Sequence, residues 1–295
     1  AAKKLRYRPN ALARSLATSQ SQTVGLILPD IRDPYFHDIA SGVESVAWER
    51  GYTLLFANTN RQLKKERASI ETFRSQRVDG IVIAGSGRED EFGDLTETEN
   101  DVPIVVLGRH HAPLPSVRVD NVAAGRIATE HLLESGRRRI ACIGGPEELT
   151  TSVDRLTGFN EALRRFGMPL DFAYMTQADF TPEGGRRAML ELLSRLKERQ
   201  APLPDAVFVA NDQMALGALQ ALRAEGIRVP DEIAVIGVGD IPMATYVEPP
   251  LTTVSLPLRD MGMKAMHLLF ELMEGGDPPQ EPVILSVELV RRASA

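Results

Sequence analysis

Short apolar runs alternate with segments of helical period along most of this 295-residue chain, and that rhythm leaves few folds open. VGLIL (24–28) is followed by Asp33-Pro34, a pair suited to a helix N-cap and first helical position, where the missing proline N–H costs nothing. Phe36, Ile39, Val43, Val46 and Ala47 then recur at helical spacing as far as Gly51, a natural residue just past a helix end. YTLLFA (52–57), a helix ending near Arg77, DGIVIAG (79–85) and PIVVLG (103–108) continue the pattern. Apolar runs of this kind, separated by helices, are the buried strands of a parallel sheet.

The pattern then restarts. A helix over about 122–136 leads to RIACIGG (139–145), and a second helix carries Leu156, Phe159, Leu163 and Phe166. A strand near 172–177 precedes Thr181-Pro182, another cap and first-turn pair. AVFVAND (206–212) and IAVIGVGD (233–240) follow with a helix between them. Two successive runs of β-α-β-α of similar length read as two Rossmann-like, doubly wound α/β subdomains, since chains beyond ~250 residues tend to split. After Asp240 the rhythm breaks: PPLTTVSLP (249–257), a helix over 258–274 and a last strand PVILSVELV (282–290) are too few for a third domain. They must return to the existing sheets, so the chain crosses between subdomains several times, which makes a hinge and with it a cleft.

The apolar fraction of 43% and charged fraction of 25% are those of an ordinary globular protein. Cys142 is the single cysteine and lies in an apolar run, which fits a core residue in a reducing compartment. No apolar run reaches the ~20 residues of a membrane span and no signal peptide opens the chain, so a cytoplasmic protein with no membrane partner is expected. The charge is uneven. Residues 1–29 carry Lys3, Lys4, Arg6, Arg8 and Arg14 and no acid, leaving 29 basic against 40 acidic residues in the rest. A basic segment too short to be a stable helix in water opens an acidic protein.

Ligands of doubly wound sheets lie beyond the carboxyl ends of the strands. The loops there contain Tyr35 and Phe36, then Ser86-Gly87-Arg88, then Arg109-His110-His111 in the first half. The second half offers Thr150, Thr151, Asp154 and Arg155, then Asp179 and Phe180, Asn211 and Asp212, and Asp240. Such a set suits a small polar ligand with one flat or apolar face. Each residue has a plainer use as well: Tyr35 and Phe36 suit a core, and Asn211 or Asp212 suits a helix cap. Arg155 near a helix start is electrostatically odd, because the helix dipole disfavours a cation there. Nothing points to catalysis: there is no Gly-x-Gly-x-x-Gly after a strand, no phosphate loop and no nucleophile elbow. The five histidines lack metal-site spacing, so neither a metal nor a cofactor is expected.

These residues resemble one family closely. LRYRPNALARSL (5–16), VGLILPDIRDPYF (24–36), RVDGIVI (77–83), VDN (119–121), RLTGF (155–159), VANDQMALGAL (209–219), RVPDEIAVIGVGD (228–240) and PPLTTVSLP (249–257) follow the order and spacing of the lactose-repressor and galactose-repressor (LacI/GalR) family of bacterial transcription regulators. The resemblance implies two subdomains of periplasmic-binding-protein type closing on a small effector, a homodimer, and an amino-terminal helix-turn-helix of which this chain holds only the end. It implies a division into 1–22 (the end of the headpiece and a hinge helix), 23–119 with 257–281, and 120–256 with 282–295. It also implies effector contacts at Tyr35, Phe36, Thr151, Arg155, Phe180 and Asn211 with Asp212 beside it, Phe180 stacking on a ligand ring and Arg155 gripping a ligand oxygen. The family's aromatic–Asp pair after the Val-Ile-Gly strand is Val238-Gly239 here, so Asp240 would have to replace that acid. Ala84 stands where the lactose repressor has a polar sugar contact, which disfavours a plain galactoside; Arg88, Arg109 and the two histidines make a sugar acid or phosphate, beside a sugar or nucleobase, worth testing.

The resemblance also explains the basic opening. Asn10 is a good N-cap, Leu12 and Leu16 lie one turn apart, and Ala13 keeps the helix slim. As a hinge helix the segment would lie in the minor groove of operator DNA, with Leu16 wedged between base pairs and Arg14 drawn to phosphate. A periplasmic-type sugar-binding protein without DNA function is the competing reading, and this basic segment speaks against it.

Overall fold

The computed structural model describes residues 20–85, 87 and 102–295. The expectations placed on Asn10, Leu12, Ala13, Arg14, Leu16 and Arg88 lie outside the described residues. The described chain divides into two compact units, the first formed by residues 20–85, 102–118 and 258–283, the second by 87, 119–257 and 284–295. Among the described residues Gly87 belongs to the second unit although it lies between stretches of the first, and the chain passes from one unit to the other again near 118, 257 and 283. No helix among them is long and apolar enough to cross a membrane.

The first unit runs β1 (Thr23–Leu28), α1 (Tyr35–Glu49), β2 (Thr53–Asn58), α2 (Leu63–Ser75), β3 (Gly80–Ala84), β4 (Ile104–Leu107) and β5 (Ser116–Val119). The second runs α3 (Asn121–Glu134), β6 (Ile140–Gly144), α4 (Thr150–Arg165), β7 (Met175–Gln177), α5 (Pro182–Glu198), β8 (Ala206–Val209), α6 (Asp212–Ala224), β9 (Ala234–Gly239), α7 (Met243–Tyr246) and β10 (Thr252–Ser255). The chain then returns to the first unit with α8 (Leu258–Met273), and ends with β11 (Val283–Leu285) and β12 (Glu288–Val290). The two sheets have the same plan: β2-β1-β3-β4-β5 with β11 at the edge, and β7-β6-β8-β9-β10 with β12 at the edge. The five leading strands of each pair in parallel, while β12 runs antiparallel to β10. This is the doubly wound α/β architecture expected from the alternation of runs.

The local signals act as read, with small shifts. Thr181 caps α5 by accepting from the Gly184 N–H at 3.0 Å, and Pro182 takes the first helical position. At α1 the boundary moves one residue: Asp33 Oδ1 accepts from the Tyr35 N–H at 3.1 Å, so the aspartate does the capping while Pro34 already has helical angles. Gly51 ends α1 at φ +76°, where any side chain would meet its own backbone, and the Tyr52 N–H returns to Ala47 O at 2.9 Å. Phe36, Ile39, Val43, Val46 and Ala47 are all buried, as their spacing requires.

Three expectations change. PVILSVELV (282–290) is two strands rather than one, because the chain leaves the first sheet after Leu285 and joins the second at Glu288. The strand near 172–177 is only Met175–Gln177, preceded by one 3-10 turn over Phe172–Tyr174. A strand that apolar runs did not announce, β5, occupies Ser116–Val119.

The helices meet in close pairs through reciprocal glycines. Gly42 of α1 faces the Arg259 carbonyl of α8, and Gly262 of α8 faces the Ile39 carbonyl of α1. Gly125 of α3 faces the Arg155 carbonyl of α4, and Gly158 answers at Val122. Gly185 of α5 faces the Met214 backbone of α6, and Gly217 answers at Pro182. A methyl group at any of these six positions would overlap backbone atoms of the partner helix.

Candidate functional site

In a sheet of this order the connections from the first and third strands leave toward opposite faces, and the parting of their loops opens a crevice at the carboxyl ends. In the second unit that point falls between β6 and β8. From β6 the chain passes Gly145 and enters α4, whose first turn carries Thr150, half-buried Thr151 and Ser152. The N-cap position of α4 is Leu149, which offers no side-chain hydrogen bond, and the first turn holds no acid. One turn on, Arg155 is only 2% exposed. Its Nε donates to Asn121 Oδ1 at 2.9 Å and its Nη1 to the Ala210 carbonyl at 2.6 Å. The cation that looked misplaced at a helix start is thus held by two oxygens, one of them at the end of β8.

Asn211 follows Ala210 directly and serves as the cap of α6. Its Oδ1 accepts from the Met214 N–H at 2.9 Å while its Nδ2 donates to the Phe180 carbonyl at 3.1 Å. The capping use is therefore real, and the same side chain also ties down the loop after β7. Phe180 needs that tie: it sits at φ +65°, a region in which a bulky residue is strained. Its ring is buried over Gly145, where a Cβ would overlap it. Ser152 Oγ is buried beside the same glycine, with no hydrogen-bond partner among the described residues. Thr151, Arg155, Phe180 and Asn211 are thereby gathered at the carboxyl ends of β6, β7 and β8.

Asp212 and Asp240 are differently placed. Asp212 is 1% exposed, and its carboxylate accepts from Thr253 Oγ1 at 2.6 Å and from the Ile241 N–H at 3.0 Å. Burial pushes its pKa up to about 6 against these hydrogen bonds, and the neighbouring Asp240 charge adds to the rise. Asp240, at φ +56°, pairs with Arg292 at 2.6 Å, so it does not stand free as a substitute for the acid absent at Gly239. Thr253 and Arg292 are partners that inspection of strand-end loops could not supply. Thr253 lies within PPLTTVSLP, but no sequence signal distinguishes Arg292 in the closing residues.

In the first unit, Phe36 is buried in the core and half-buried Tyr35 meets it edge to face, ring centroids 4.9 Å apart. The loop after β1 is braced by Asp30, which binds Arg32 at 2.9 Å, and by His37, whose Nε2 lies 2.8 Å from the Ile31 carbonyl. His110 is half-buried, and burial holds its pKa below the usual imidazole range, with the Arg118 and His111 charges acting in the same direction. A cavity of about 940 Å³ opens at the amino end of the same sheet, walled by Arg50, Tyr52, Arg77, Asp79 and Phe270 among others, and contains none of the candidate residues. No group of three or more His, Cys, Asp or Glu among the described residues is placed to hold a metal ion.

Residues 129–295 match the family described as periplasmic binding protein-like domain. The HTH-type transcriptional repressor CytR of Escherichia coli strain K12 is 35% identical over 297 residues, covering 100% of this chain and 85% of its own length. The chain belongs to the LacI family of bacterial transcription regulators. The HTH-type transcriptional regulator CelR of Thermobifida fusca is 37% identical over 303 residues, covering 100% of this chain and 87% of that protein. A solved structure described as a transcriptional regulator CelR–cellobiose complex superposes with a TM-score of 0.85 at 34% identity, covering 100% of this chain and 88% of that one. The chain is an effector-responsive regulator of the LacI family rather than a solute-binding protein alone.

Proposed function

We propose that this LacI-family chain binds a small polar metabolite at the carboxyl-end loops of its second unit and couples that binding to affinity for operator DNA. Thr151, Arg155, Phe180 and Asn211 are its contacts in this reading, with Tyr35, Phe36 and Arg88 as further candidates. The observation that carries it is the buried Arg155 at the switch point of the second sheet, held by the Ala210 carbonyl, with the next residue, Asn211, holding the Phe180 carbonyl. An arginine fixed in this way loses little freedom when it meets a ligand oxygen, and an aromatic ring beside it covers an apolar ligand face. Sugars, sugar acids, sugar phosphates and nucleobases all fit that description. The relative solved with cellobiose supports the sugar class.

Coupling follows from linkage: the effector must prefer one arrangement of the regulator, since equal affinity for two arrangements shifts neither. The basic segment with Asn10, Leu12, Ala13, Arg14 and Leu16 is the DNA-binding hinge in this proposal, and a cytoplasmic homodimer presents two of them. No catalytic step is assigned, in keeping with relatives that are transcription regulators.

A thermal-shift screen with cellobiose, ribose, gluconate, glucose 6-phosphate, inosine and hypoxanthine tests the reading. A compound present at 100 times its Kd stabilises the protein by ~2.7 kcal/mol, which a melting curve resolves. One or more should raise the melting temperature of the wild type and not of Arg155→Ala. A compound that shifts both equally would place the effector elsewhere.

A further inference from the structure

The Asp212 carboxylate lies where the start of α6, the loop after β9 and the strand β10 converge. It accepts two hydrogen bonds from different elements, the Ile241 N–H at 3.0 Å and Thr253 Oγ1–H at 2.6 Å. Thr253 Oγ1 lies 3.4 Å from the Asp240 N–H as an acceptor, so the hydroxyl relays the same anchor one residue back. β9 is shaped to admit the carboxylate: a Cβ on Gly237 would overlap Asp212 Oδ1, and one on Gly239 would stand 3.4 Å from Oδ2. From the other side Arg292 holds Asp240 at 2.6 Å while its Nη1 donates to the Leu251 carbonyl at 2.9 Å. The loop after β9 is therefore clamped between a buried anion and a C-terminal cation.

We propose that Asp212 is a positioning residue of the effector loops, fixing the loop after β9 to the start of α6 and so the place of Asn211, without touching the effector. The proposal rests on the effector reading above for its functional half. Its structural half rests only on contacts within the second unit. A charged hydrogen bond lost in a buried place costs enough to open the loop, while asparagine can keep both contacts. Its Oδ1 accepts from Ile241, and its Nδ2 donates to a Thr253 hydroxyl turned to receive it.

Amide hydrogen exchange of the whole protein tests the tether without any effector. Asp212→Ala and Thr253→Val should speed exchange across 239–243 by about tenfold or more, and Asp212→Asn and Thr253→Ser by less than about threefold. Thr253→Val keeps the test open if Asp212→Ala does not fold. The second arm measures affinity by calorimetry for cellobiose, ribose, glucose 6-phosphate and inosine. For any of these that binds wild type, Asp212→Ala or Thr253→Val should weaken binding about tenfold while Asp212→Asn stays within about threefold. Unchanged exchange in both Asp212→Ala and Thr253→Val would overturn the tether. Loss of binding in Asp212→Asn with exchange intact would put the charge on the effector and overturn the positioning role. If none of the four compounds binds wild type, the effector reading loses its support while the exchange arm still decides the tether.

Discussion

Replacing Asp212 with asparagine should remove a pH dependence from the stability of this protein. Burial raises the carboxyl from 3.8 to about 6 in the folded chain, and the unfolded chain returns it to its ordinary value. Between those two values the folded state keeps a proton that the unfolded state has lost. Stability contributed by the protonated form is therefore complete below about pH 3.8 and is lost as pH rises through about 6. At about 1.36 kcal/mol per pH unit, a rise from 3.8 to about 6 amounts to about 3 kcal/mol in full, and the group is too buried for solvent to screen much of it. Asparagine does not titrate. Urea unfolding of wild type and variant from about pH 4 to about pH 7.5 should show wild type losing about 2–3 kcal/mol relative to the variant, and an Asp240→Asn control separates the neighbouring carboxylate. A difference that stays flat, or that grows in favour of wild type with rising pH, would refute the reasoning.

Other substitutions test the packing around the same loops. Asn211→Ala removes the cap of α6 and the tie to the Phe180 carbonyl, and should cost about 1–2 kcal/mol in a thermal or urea melt. Gly145→Ala places a methyl group into the Phe180 ring and should destabilise by about 1–3 kcal/mol, with part of the loss recovered when Phe180→Ala is combined with it. Cys142 is fully buried and its thiol is pushed up to about 12 by burial. It should stay unlabelled by iodoacetamide at about pH 8 in the native protein and react once urea unfolds it, as mass spectrometry would show.

The alternation of runs was sufficient for the sheets because a strand buried on both faces must be apolar throughout. VGLIL, DGIVIAG, PIVVLG, RIACIGG, AVFVA and IAVIGVGD each became a strand. β5 escaped notice because it is four residues long with Arg118 among them, a pattern indistinguishable from a loop. PVILSVELV read as one strand because nothing local tells a chain that two sheets share nine residues; the break at Ser286–Val287 is set by where the sheets end. In the candidate site, the capping half of Asn211 was legible from its place before a helical run. The burial of Asp212 was not, since its partners Thr253 and Ile241 are 41 and 29 residues away. Nor was the engagement of Asp240, whose cation lies 52 residues downstream. Long-range polar pairs leave no period in a sequence, and only local caps and buried stripes do.

The reciprocal glycines have a consequence for how such a regulator can change its effector. The carbonyl that Gly125 receives belongs to Arg155 itself, so the arginine's height above the sheet is indexed by main chain against main chain. Side-chain substitutions in the loops leave that gauge untouched. In the proposed site, substitutions at Thr151 or Phe180 leave that frame in place, whereas alanine at Gly125 or Gly158 would overlap the partner helix backbone and move the arginine itself.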